Sequence, residues 1–132
     1  MYLVDTNVWL ERLLNQERAE EVAEFLSQTS SDLLFITDFA FHSIGLILAR
    51  LGRLDAFESF TQDLFIEGGV ALLRLDPQDM KDLAEAMRSF SLDFDDAYQY
   101  VAAGKHNLTI VSFDTDFDQT ELGRKTPAQA LQ

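Results

Sequence analysis

Three aspartates stand where a carboxylate could do chemistry. Asp5 ends the apolar run Tyr2-Leu3-Val4, Asp114 follows the apolar run Leu108 to Val111, and Asp96 falls in the first turn of a helical segment leading into that second run. A short apolar run that stops at an acid and passes through small polar residues into a new apolar run reads as a buried strand turning into a helix. In open parallel sheets, ligands bind at the carboxyl ends of the strands, beside the point where strand order reverses. If the first and last strands are neighbours, Asp5, Asp96 and Asp114 meet at one edge. Two unpaired carboxylates about 4 Å apart repel by roughly 1 kcal/mol in water and about 4 kcal/mol at an effective dielectric of 20. Such a cluster needs protons, basic partners or a cation. The nearby bases Arg12 and Lys105 lie on helices whose starts, not ends, approach the edge, so a hard divalent ion is the simplest counter-charge. Oxygen ligands without cysteine or a histidine pair favour Mg2+ or Mn2+ over Zn2+.

The elements that must position these acids follow from the apolar pattern. Helices are expected over Thr6 to Leu14, Ala19 to Gln28, Phe39 to Leu51, Leu54 to Phe65, from Asp76-Pro77 through Met87, and over Asp95 to Lys105. Between them, 32–36, 70–75 and 108–111 read as short buried strands that join the first one. The helix after the second strand is apolar almost all round, which makes it central, with Thr37 or Asp38 as its cap. Phe39, Phe41, Phe94, Phe113 and Phe117 are expected in the core. Residues 119–132 are polar, with one Thr126-Pro127 turn signal, and are expected to form a loosely attached tail with one short helix or edge strand. Strands separated by helical crossovers must pair in parallel, so the fold expected is a three-layer α/β/α sandwich around a parallel sheet of four or five strands.

The totals set bounds. At 132 residues and 47% hydrophobic composition the chain is expected to fold as a single domain, 1–132, with a real core. Cysteine is absent, which removes disulfide and thiolate-metal chemistry. No secretory signal or membrane-length apolar run is visible, making the cytoplasm the expected location and the membrane an unexpected partner. A formal charge of -13 argues against a broad phosphate-binding face, yet it is compatible with a nucleic-acid enzyme that works through cations held by clustered carboxylates.

The stretches Leu3-Val4-Asp5-Thr6-Asn7, Phe94-Asp95-Asp96-Ala97-Tyr98 and Thr109 to Phe117 together resemble the PIN-domain nucleases, a family that contains the type II toxin ribonucleases. The resemblance implies a PIN-like α/β/α fold and metal-dependent hydrolysis of RNA. It further implies metal binding by Asp5, Asp96 and Asp114, with Thr6 and Ser112 as small polar residues supporting them. It also implies a homodimer and, for a toxin, a small antitoxin partner. One departure stands out. The family's glutamate in the helix after the second strand is missing; its place falls on His42 or Ser43, and Asp38 lies one turn earlier. His42 reads equally as an interior histidine or a site residue. Among the further acids, Asp118 or Asp116 is the first candidate to join the metal, ahead of Asp93 and Asp95. The runner-up reading is a catalytically inactive or weak PIN-like binding domain that keeps an acidic cation site. A receiver-like phosphoacceptor domain is a third possibility, but it expects a paired acid run after the first strand and a late lysine after a strand, and neither is present.

Overall fold

The computed structural model describes all residues, Met1–Gln132. Four parallel strands, β1 (Tyr2–Val4), β2 (Leu34–Thr37), β3 (Ala71–Leu73) and β4 (Thr109–Val111), pair in the order β3-β2-β1-β4. Tyr2, Leu3 and Val4 stand opposite Thr109, Ile110 and Val111, so β1 and β4 are neighbours in register. Seven α-helices connect or flank the strands: α1 (Thr6–Leu13), α2 (Ala19–Gln28), α3 (Asp38–Arg50), α4 (Leu54–Thr61), α5 (Met80–Phe90), α6 (Phe94–His106) and α7 (Pro127–Ala130).

Alternation along the strands divides the core into two. Val4, Leu34, Ile36 and Val111 face one side with Val8, Trp9, Phe25, Ile44 and Phe60. Leu3 and Ile110 face the other with Leu83, Ala97, Ala102 and Phe117. Successive strand side chains point to opposite faces, so both faces of a sheet this apolar must be covered. The first four helices cover one face, α5 and α6 the other. That change of face accompanies the reversal of strand order at β1, because right-handed crossovers to opposite sides of a strand place their helices on opposite faces.

Several boundaries differ from the sequence expectation. β2 begins at Leu34 rather than Asp32, since Ser31–Leu33 forms a 3-10 turn. The expected helix over 54–65 changes into a π-helical turn at Gln62–Glu67, which keeps Phe65 against Phe41 at 5.1 Å between ring centres. Thr37, not Asp38, caps α3, its hydroxyl accepting the Ala40 N–H at 3.0 Å. Of the five phenylalanines expected in the core, Phe117 is fully buried, Phe39, Phe41 and Phe113 are half-buried, and Phe94 is exposed.

The tail is docked rather than loose. Lys125 donates its N–H to the Ile110 carbonyl at 2.9 Å and accepts from Ser112 N–H at 3.0 Å, bridging beside Val111. β4 is an edge strand whose backbone groups need partners, and this segment supplies them. Thr126 and Gln129 form a capping box around Pro127, and Tyr2 Oη donates to the Ala130 carbonyl at 3.3 Å. Truncation after Gly123 is therefore expected to destabilise the protein by about 2–4 kcal/mol through lost hydrogen bonds and burial. Thermal unfolding followed by circular dichroism measures this; an unchanged midpoint would show the tail to be dispensable.

Candidate metal centre

Asp5 acts as a helix cap and lines the same cleft as Asp96 and Asp114. Its extended backbone at the end of β1 makes it the N-cap of α1, with Oδ1 accepting from Thr6 N–H at 2.7 Å. Oδ1 also accepts from Gln99 Nε2 at 3.1 Å. Oδ2 accepts from the Ser112 hydroxyl at 2.7 Å and from Asn7 Nδ2 at 3.3 Å. Four donors thus fix one buried carboxylate, and charge-assisted hydrogen bonds of this kind set orientation as well as energy. Burial raises the proton affinity of Asp5, and the charge of Asp114 adds to it; the bonds from Ser112, Thr6 and Gln99 pull the other way.

Ser112 ties β1 to β4. Its hydroxyl donates to Asp5, and its oxygen accepts from Asn7 Nδ2 at 3.3 Å and from Asp114 N–H at 2.9 Å. One donor and two lone pairs are all in use. Asp114 in turn caps the 3-10 turn Thr115–Gln119 through a 2.8 Å bond from Asp116 N–H to its Oδ1. Asn7 closes the frame, its Oδ1 accepting from Phe113 N–H at 3.2 Å.

Asp96 enters from α6, where Asp93 Oδ1 caps the helix by accepting Asp96 N–H at 2.9 Å. The side chain is buried, and Oδ2 has no hydrogen-bond partner. Burial, followed by the charges of Asp114, Asp93 and Asp5, pushes its pKa up to about 8. One oxygen from each of Asp96, Asp114 and Asp116 lies within 4.8 Å of the others. No ion pair reaches Asp5, Asp96 or Asp114. A buried carboxylate oxygen without a partner, crowded by like charges and lacking a base, is a donor set for a hard divalent cation, and all-oxygen ligation suits Mg2+ or Mn2+.

Asp5, Asp96 and Asp114 line a cleft of ≈ 420 Å³ at the carboxyl edge of the sheet, together with Thr6, Phe39, Ser43, Asp95 and Arg50, while Asp116 lies outside the lining. Asp5, Thr6, Asp96 and Asp114 come together there as the sequence suggests, with Ser112 directly beneath. Of the two places for the missing glutamate, Ser43 faces the cleft; His42 is exposed and lines a separate apolar hollow with Phe41, Leu46 and Phe57. Asp38 lies outside the cleft lining, its Oδ1 accepting from Tyr98 Oη and from Phe39 N–H, both at 2.8 Å. Asp118 is held by Arg124 at 3.0 and 3.1 Å, so Asp116 is the acid that joins the cluster. Sequence reasoning missed Asn7, Gln99 and Arg50. Gln99 carries a usable signal, being three residues after Asp96 and so able to share its helix face.

A family model for the PIN domain matches residues 2–122. The chain belongs to the PIN-domain family. Among solved structures, this PIN domain resembles a toxin-antitoxin complex from Klebsiella pneumoniae, with 16% identity, a TM-score of 0.77, and coverage of 96% of this chain and 98% of that one. It also resembles VapC20 of Mycobacterium tuberculosis, described as a sarcin-ricin loop cleaving toxin, with 14% identity, a TM-score of 0.79, and coverage of 92% and 96%. The third is FitAcB from Neisseria gonorrhoeae, with 23% identity, a TM-score of 0.76, and coverage of 96% and 98%. No curated protein matches the chain significantly. No helix of this PIN domain is long and apolar enough to cross a membrane.

The raised pKa of Asp96 has a consequence for stability. Below about pH 4 the group is protonated in both folded and unfolded chains and contributes nothing. As pH rises toward 8 the unfolded chain ionises first, so the metal-free fold loses stability across that window. Asp96→Asn is therefore expected to raise the melting temperature in EDTA by a few degrees at pH 8 and by less at pH 5. Mn2+ should stabilise the parent more strongly at pH 8 than at pH 5, because binding must displace a proton, and should do much less for the variant. A pH-independent difference between parent and variant would contradict the assigned titration.

Proposed function

We propose that this PIN domain is a Mg2+- or Mn2+-dependent endoribonuclease acting as the toxin of a toxin-antitoxin pair. The observation that carries the reading is the partnerless, buried Asp96 Oδ2 set among Asp5, Asp114 and Asp116 with no base in contact. Asp5, Asp96 and Asp114 would hold the ion, which supplies Lewis-acid chemistry by lowering the pKa of a water and offsetting charge at an RNA phosphodiester. The chain's own contribution is orientation. Ser112, Asn7, Gln99 and the Thr6 backbone hold both Asp5 oxygens in place, while Ser112 fixes the Asp114 backbone. Thr6 and Ser112 are thus supporting residues. Residues that lock metal ligands in this way typically tune affinity or activity 10- to 100-fold.

The description of VapC20 as a sarcin-ricin loop cleaving toxin supports RNA as substrate, and the toxin-antitoxin complex from Klebsiella pneumoniae supports a small antitoxin as partner. Homodimerisation and a cytoplasmic location accompany this reading. A second reading, a PIN domain that binds a cation but cleaves weakly or not at all, draws on Ser43, which presents a hydroxyl to the cleft where the family's glutamate is expected.

Asp5→Asn is expected to reduce Mn2+-dependent cleavage of a generic RNA by at least about a hundredfold, measured by gel assay with purified protein. Cleavage at the parental rate would remove Asp5 from the mechanism, and Mn2+ binding without cleavage by the parent would favour the second reading. Ser43→Glu, which restores to the cleft the glutamate expected of the family, is expected to raise Mn2+ affinity about tenfold and to increase cleavage. A fall in both would show that the hydroxyl belongs to the working site.

A further inference from the structure

The protein carries a charge of -13, and its cleft presents Asp5, Asp93, Asp95, Asp96 and Asp114. Nucleic acid is a polyanion, and a divalent ion offsets the repulsion only where it sits. Among the basic residues, Arg18, Arg53, Arg74, Lys105 and Arg124 are engaged in ion pairs. Of those left without one, Arg12, Arg50, Lys81, Arg88 and Lys125, only Arg50 lines the acidic cleft. It makes no side-chain hydrogen bond, is exposed, and ends the stripe Phe39, Ser43, Leu46, Ile47, Arg50 that α3 turns toward the cleft.

The helix dipole favours a cation in the last turn of α3, but it is indifferent to which face that cation occupies. Seven residues separate Ser43 from Arg50, about 10 Å along the helix axis. Arg50 therefore lies about two helical turns beyond Ser43 on the same cleft-facing stripe, a placement that suits a phosphate further along the strand than the one beside Asp96. Its planar fork of donors matches phosphate oxygens, and no carboxylate competes for it.

We infer that Arg50 is a substrate-binding residue that holds a backbone phosphate of the RNA strand flanking the cleavage point, so that the strand lies along α3 from the acid cluster to the end of the helix. This rests on the ribonuclease reading. It makes the cleft bipolar, with a metal-neutralised end for the reacting phosphate and a single fixed cation for its neighbour. RNA extending beyond the cut on that side is then a requirement for tight binding.

The test is steady-state cleavage of a single-stranded RNA oligonucleotide in Mn2+ at several salt concentrations. Arg50→Ala is expected to raise KM about tenfold with kcat changed less than about twofold. It should also reduce the slope of log(kcat/KM) against log salt by about 0.7, the value of one lost contact to a single strand. Arg50→Lys should recover the salt slope but only part of the affinity. Arg88→Ala, which removes a charge away from the cleft, should match the parent. The melting-temperature shift produced by Mn2+ alone should be the same for Arg50→Ala as for the parent; loss of that shift would place the effect in the acid cluster and overturn the proposal. An active parent whose KM and salt slope are untouched by Arg50→Ala would make Arg50 a bystander while leaving the ribonuclease reading in place. A parent that neither cleaves nor binds RNA would remove both.

Discussion

Everything at the carboxyl edge of this sheet depends on holding like charges together. Asp5 sits at the end of β1, the one strand with β2 on one side and β4 on the other, and its two oxygens are occupied by four donors from α1, α6 and the β4 turn. Those donors favour the ionised form of Asp5, but its burial and the charge of Asp114 outweigh them and raise its proton affinity. Asp96 receives no such help at Oδ2, and the balance is tipped toward the protonated acid. One carboxylate is fixed at both oxygens; its neighbour keeps a buried oxygen without a partner.

The topology makes this arrangement possible at little local cost. Asp5, Asp93 and Asp114 are each the N-cap of a helix or 3-10 turn, so their backbones already need an acid or hydroxyl at those positions. Asp93 places Asp96 within the first turn of α6, where helix amides favour negative charge. Capping requirements on separate elements therefore deliver carboxylates to one edge, and Ser112 joins two of them across β1 and β4. The tail contributes indirectly, because the Lys125 backbone completes the ladder beside Ser112 and Arg124 Nη1 donates to the Ser112 carbonyl at 3.1 Å.

If the cleft takes RNA, as proposed, so acidic a chain must confine its attraction for the polyanion to a few points. Half of its ten basic residues are engaged in ion pairs, such as Lys105 with Asp79 at 2.8 Å and Arg124 with Asp118 at 3.0 Å. Exposed pairs of this kind contribute little to stability. Arg50 remains as the one basic residue lining the cleft, a sparse pattern of charge that, for the RNA substrate proposed, would favour phosphates at the right spacing over nonspecific adherence.

The sequence by itself determined the order of elements and the identity of the acids. Apolar runs of strand length ending in Asp5 and Ser112-Phe113-Asp114 mark buried parallel strands and their turns, and the apolar positions after Asp95 mark α6, whose cap at Asp93 only the structure revealed. These signals are local: burial period and capping chemistry act over a few residues and are written in the residue types. What the tertiary structure decided is everything that depends on which strands are neighbours and which way a helix is turned. It put Ser43 rather than His42 in the cleft, paired Asp118 with Arg124 while leaving Asp116 beside Asp96, brought Gln99 onto Asp5, and docked a polar tail against β4. Each of these contacts joins residues on different elements or chooses between adjacent positions one helical step apart. A rotation of about 100° per residue separates His42 from Ser43, and only the packing of α3 against β2 and α1 fixes that rotation.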